Sequence, residues 1–81
     1  MEEKIRDFII QELWDLVDIV VDYKDYGGPI PETDYIEAKK EKLIDLVGKD
    51  YYEKEDNPRI NQARFIIKNA ERCVNTVKDS K

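Results

Sequence analysis

Apolar side chains recur at helical spacing in three stretches of this chain, and two polar breaks separate them. From about Glu3 to Lys24, the residues Ile5, Phe8, Ile9, Leu13, Leu16, Val17 and Val20 make one stripe when placed at about 100° per residue. Ile10, Trp14 and Val21 extend that stripe sideways. The whole arc covers roughly two-thirds of the circumference, wider than the one-sided stripe of a surface helix. Such breadth predicts a central helix sandwiched by the other two, or a helix with one flank in an oligomer interface. The β-branched run Ile19-Val20-Val21 also suits a strand, but no partner strand is evident and the pattern reads as helix.

The first break, Tyr26-Gly27-Gly28-Pro29-Ile30-Pro31, turns the chain: its glycines relax the backbone and its prolines bar helix continuation. A second helix is expected over 34–47, with Asp34 and Glu37 spaced as a capping box and Gly48 as the terminating residue. Ile36, Leu43, Ile44 and Val47 form its apolar side, while Lys39, Lys40 and Lys42 with Glu37 and Glu41 read as a solvated face. The polar connection 49–56 leads to Asn57-Pro58, a capping side chain followed by proline at the first helical position. From there Ile60, Ala63, Ile67, Ala70, Val74 and Val77 recur at spacings of 3, 4, 3, 4 and 3, a heptad seam over the predicted helix 58–78. Its alanines permit close helix approach, and Ile66 and Cys73 widen it on one side. With a first helix over 3–25, the expected fold is all-α: a compact three-helix bundle or helical hairpin, the broad apolar first helix in the middle, and homo-oligomeric.

At 81 residues the chain makes a single domain, 1–81, whose 41% charged and 41% apolar residues describe a polar globule. No apolar run is long enough for a membrane span, and Met1-Glu2-Glu3-Lys4 lacks the features of a signal peptide, so no membrane partner is expected. A lone cysteine, Cys73, makes no internal disulfide and places the chain in a reducing, cytoplasmic compartment. With no histidine, the common zinc sites and His-based triads are excluded. Charge is segregated along the chain. Residues 1–26 carry eight acids against three bases, residues 27–56 nine against five, and residues 57–81 only two against six. The basic end either balances the acidic helix or holds an anion. At a net charge of −5, duplex DNA is not an expected partner.

Candidate chemistry is sparse. Glu12, Asp15, Asp18 and Asp22 fall near one face of the first helix, with Asp25 one turn on, and carboxylates so spaced can share a hard cation such as Mg²⁺. The alternative is an acidic solvated stripe. Glu12-Leu13-Trp14-Asp15 resembles the ExxD motif of the MazG-type all-α nucleoside triphosphate pyrophosphohydrolases. That resemblance implies a Mg²⁺-dependent nucleotide hydrolase, but the second carboxylate pair those enzymes need on an earlier helix is missing. No phosphate-binding glycine loop or nucleophile elbow is present: Pro29 and Pro31 stand where amide donors would be needed. Ser80 has no histidine to activate it, and Cys73 beside the seam reads as a small buried hydrophobe. No cofactor is expected.

Aromatic and basic residues offer more. All five tyrosines, Tyr23, Tyr26, Tyr35, Tyr51 and Tyr52, fall at helix ends or in connections, where they either cap a small core or stack on a ligand. Phe65 projects opposite the seam among Arg64, Lys68 and Arg72, either as an exposed contact or beneath the 51–56 connection. Arg59 follows the start of the last helix, where free amides and the helix dipole favour an anion. The stretch from Ala63 to Ala70, continuing to Val74-Asn75 and preceded by Arg59, resembles the C-terminal helix of a phage hairpin family. Members of that family sequester the cyclic-nucleotide signals of bacterial defence systems such as CBASS and Thoeris. The match covers about a sixth of the chain, and Arg72 and Cys73 stand where that family has a bulky Met-Trp pair. It implies oligomerisation and phosphate-binding basic groups.

These features predict a small non-catalytic binding or regulatory protein, an inhibitor of phage or mobile-element type acting by protein–protein contact. The alternatives are a cyclic-nucleotide sponge and the Mg²⁺-dependent hydrolase. Candidate ligand or partner contacts are Arg59, Arg64, Phe65, Arg72, Tyr26, Tyr51 and Tyr52; the partner is a protein or a small anionic nucleotide.

Overall fold

Ile5, Ile9, Leu13, Leu16 and Val20 are all buried, and the first helix alters its own hydrogen-bond ladder between them. In the computed structural model, which describes residues 2–54 and 57–79, helix α1 runs through three stretches: α-helical Glu2–Phe8, π-helical Ile9–Leu13 and α-helical Trp14–Tyr26. In the π stretch the Trp14 amide donates to the Ile9 carbonyl five residues back. Each four-residue step in an uninterrupted α-helix advances a side chain by about 40° around the axis. The wider π turn removes much of that drift, so Ile5, Ile9 and Leu13 face one core.

Gly27 ends α1 in the left-handed region at φ 71°, and the Gly28 amide donates to the Asp22 carbonyl at 3.0 Å, closing the helix as expected of a glycine terminus. Helix α2 spans Thr33–Val47 and starts one residue before the expected position. The anticipated capping box is not formed: Glu32 is the N-cap, and its side chain makes no capping hydrogen bond. Apolar anchoring replaces it, with Pro31 and Ile36 buried on either side of the entry and Ile30 packed against the core. Gly48, at φ 91°, ends α2 and also begins a short helix, α3, over Lys49–Glu53, inside the segment expected to be an irregular connection. Helix α4 spans Pro58–Asp79 and starts as its sequence predicts. The Asn57 Oδ1 accepts from the Arg59 amide at 2.9 Å and the Ile60 amide at 3.2 Å.

The fold is all-α, with no strand among the described residues. The arrangement corrects one expectation: α4, not α1, is the central member. It packs along both α1 and α2, whereas α2 meets α1 chiefly through the N-terminal stretch of the latter. The reason lies in the seam, where Ile60, Ala63, Ile67 and Ala70 are wholly buried, Val74 nearly so, and the two alanines let both neighbours approach. The Val77 side chain lies outside the described residues. No helix is long and apolar enough to cross a membrane.

A second correction concerns Lys39, expected on a solvated face. It is only 8% exposed, donates to the Glu12 carboxylate at 2.8 Å and lies 5.0 Å from the centre of the Tyr35 ring. Lys42 takes the other Glu12 oxygen at 3.0 Å, so two lysines of α2 clamp the π stretch of α1. Hydrogen bonds from Lys39 and then Lys42 lower the Glu12 pKa below 4.5. Burial opposes the charge of Lys39, but the Glu12 hydrogen bond and the fields of Tyr35 and Glu12 outweigh it and raise its pKa above 10.5.

Two predictions follow from this packing. Ala70→Leu forces a larger side chain into the α4 seam and should cost about 1–3 kcal/mol in urea unfolding. A cost near zero would mean that the seam is rotated from the core. Glu12, with a depressed folded pKa, stabilises the fold above its unfolded pKa near 4.5, and that contribution disappears as pH falls through the folded value. Glu12→Gln should therefore melt below wild type at neutral pH, and the gap should close in strong acid. Parallel melting curves at every pH would contradict the clamp.

Candidate functional site

The apolar arc of α1 is wider than the core it serves. Leu13, Leu16 and Val20 point inward and Val17 is half-buried, but Ile10 (52% exposed), Trp14 (50%) and Val21 (41%) face solvent. Across from them α4 presents Phe65, 69% exposed, and half-buried Ile66. Phe65 is thus an exposed ring and not a buried one. Between the two helices runs an open groove of about 310 Å³, lined on one side by Trp14, Val17 and Val21 and on the other by Phe65 and Ile66. Its polar lining is two amides, Gln62 and Asn69. A contiguous apolar surface with an aromatic at each edge is a recognised mark of protein contact sites.

Local structure places each of these groups. Trp14 is the first residue after the π stretch, and its amide makes the i→i+5 bond, so the widened turn carries Ile10 and Trp14 on its outer side. Residue numbers rise together along the groove. Trp14 to Val21 lie opposite Gln62 to Asn69, and Tyr23 and Lys24 share a smaller recess of about 170 Å³ with Arg72, Cys73 and Thr76. The two helices therefore run parallel.

The other candidate residues are dispersed. Tyr52 is buried in the core cluster and is not available as a stacking platform; the Arg64 guanidinium lies 5.4 Å from its ring centre. Burial raises the Tyr52 pKa, an effect that Lys40 and Arg64 partly offset. Arg64 also borders a shallow, open recess with Asn61, Phe65 and Lys68. Arg59 and Arg72 are exposed and lie thirteen residues apart, about 20 Å along the helix, so the cations do not converge on one point. Tyr26, the last residue of α1, and Tyr51, within α3, are exposed, and neither lines the groove. Of the carboxylates, Glu12 is held by Lys39 and Lys42, while Asp15, Asp18 and Asp22 are exposed. Among the described residues, no three acidic, histidine or cysteine side chains gather as a metal site. Cys73 is buried beside the seam.

Ile10, Trp14 and Val21 were visible in the sequence as the sideways extension of the α1 stripe, and Val17 as part of the stripe itself, yet they were not singled out as ligand or partner contacts. Their signal is the excess breadth of the arc. It becomes a site only when α4 sets Phe65 and Ile66 alongside.

Because Phe65 is mostly exposed, Phe65→Ala should change unfolding free energy by less than about 0.5 kcal/mol. A cost in the range of a core truncation would place its ring in the core. No family model, curated protein or solved structure matches the chain.

Proposed function

We propose that this protein is a small non-catalytic binding protein that works by protein–protein contact through the α1–α4 groove. The observation that carries this reading is the groove flanked by exposed Trp14 and Val21 on α1 and exposed Phe65 on α4. Tryptophan at the edge of an apolar depression is the side chain most often found dominating a protein interface. The groove offers no cation in its lining, which suits a polypeptide better than a phosphorylated ligand. Cys73, single and buried, fits a reducing cytoplasmic setting.

One observation favours a second reading, the cyclic-nucleotide sponge. The recess at Asn61, Arg64, Phe65 and Lys68 places an exposed aromatic ring beside cations, an arrangement suited to a base and its phosphate. Calorimetric titration with cyclic dinucleotides separates this reading from the first.

The test of the protein-contact reading is site-specific photo-crosslinking in cells. Benzoylphenylalanine in place of Trp14 should give a discrete adduct that the same group in place of exposed Glu41 does not. Adduct mass tells a second 9.6 kDa chain from a different protein. No adduct from position 14, or the same pattern from both positions, would refute the reading.

A further inference from the structure

We infer that the occupant of the groove is a second copy of this chain, related by a two-fold axis parallel to α1 and α4. This rests on the protein-contact reading and specifies its partner. Charge complementarity across the groove carries the inference. On α1, Asp18 and Asp25 each follow an exposed apolar residue, Trp14 and Val21, by one helical turn, and on α4 Lys68 and Arg72 follow Phe65 at helical spacing, Arg72 also bordering the recess beside Lys24. All four are exposed, and none forms an ion pair with another described residue of its own chain. Acidic and basic groups therefore accompany one apolar strip, each without an ion-pair partner among the described residues.

The parallel course of the helices determines which two-fold arrangement satisfies those charges. An axis in the face but perpendicular to the helices lays α1 on α1 and α4 on α4, acid against acid and base against base. An axis parallel to the helices lays α1 of each copy over α4 of the other, running the same way and at the same height. Heights follow from the groove itself, where Val21 lies by Asn69 and Lys24 by Arg72. Asp18 then comes level with Ile66 and within reach of Lys68 of the second copy, and Asp25 comes level with Arg72 of the second copy. Trp14 and Val21 of each copy meet Phe65 and Ile66 of the other. The contact is isologous and closes after two chains, so a dimer and not a filament results.

The experiment is sedimentation of the purified full-length chain across the micromolar range, with helicity checked by circular dichroism. Wild type should show twice the 9.6 kDa chain mass and dissociate as salt rises, because the attraction between these charges is screened. Trp14→Asp should be monomeric. The pair Asp18→Lys with Asp25→Lys, or the pair Lys68→Asp with Arg72→Asp, should each weaken self-association about tenfold or more. Mixing these two doubly substituted proteins should restore a dimer, since acidic groups again meet basic ones. A wild-type monomer throughout overturns the inference, and a groove crosslink to a different protein would still leave the protein-contact reading standing. A dimer that strengthens with salt, or that ignores both charge reversals and Trp14→Asp, also overturns it.

Discussion

A bundle of three helices gives each member two neighbours, and α1 carries apolar side chains for more than two. Much else in the molecule depends on how that surplus is divided. The core takes Ile5, Ile9, Leu13, Leu16 and Val20, and for the first three this requires a π turn, because successive four-residue steps on an α-helix drift off line. The same turn carries Ile10 and Trp14 on its outer side. Burial on one face of α1 and exposure on the other are thus consequences of one backbone feature. Glu12, inside the π stretch, is gripped by Lys39 and Lys42 of α2, which ties the irregular turn to its neighbour.

The three helices, the Gly27 and Gly48 termini, the Asn57 cap and the alanine-containing seam were legible because each rests on local chemistry. Spacing alone brings Ile60, Ala63, Ile67 and Ala70 to one line, and only glycine takes the positive φ at 27 and 48 without strain. What was not legible depended on contacts between segments. Lys39 reads as a surface lysine until α1 brings Glu12 to it. Tyr52 reads as a free aromatic in a loop until α3 forms and turns it inward under Arg64. The capping box failed for a related reason: Pro31 and Ile36 fix the entry to α2, and the helix begins before Asp34 can cap it.

The candidate site shows the same division. Phe65 was legible as an outward aromatic because it lies opposite a seam whose inward side is certain from its alanines. The α1 half of the groove was legible only as an arc too broad for its core. Which part of such an arc stays exposed depends on where the neighbours lie, and α4, as the central helix, covers the Leu16 and Val20 side and leaves Trp14 and Val21 open.

Segregated charge along a chain usually has a simple account: an acidic helix and a basic helix attract one another within the fold. Here α1 and α4 are adjacent and of opposite sign, so that account would require ion pairs between them. Among the described residues, the carboxylate of α1 that is paired between helices is Glu12, and its partners are on α2. Asp18 and Asp25 of α1 and Lys68 and Arg72 of α4 are instead exposed, with Arg72 bordering the recess beside Lys24. Exposed opposite charges not paired with one another contribute little to the stability of the single chain, because water screens them. The same arrangement is well suited to orienting a partner, since it admits one docking direction and repels the reverse. The charge pattern of this protein is therefore not accounted for by ion pairing between α1 and α4 among the described residues.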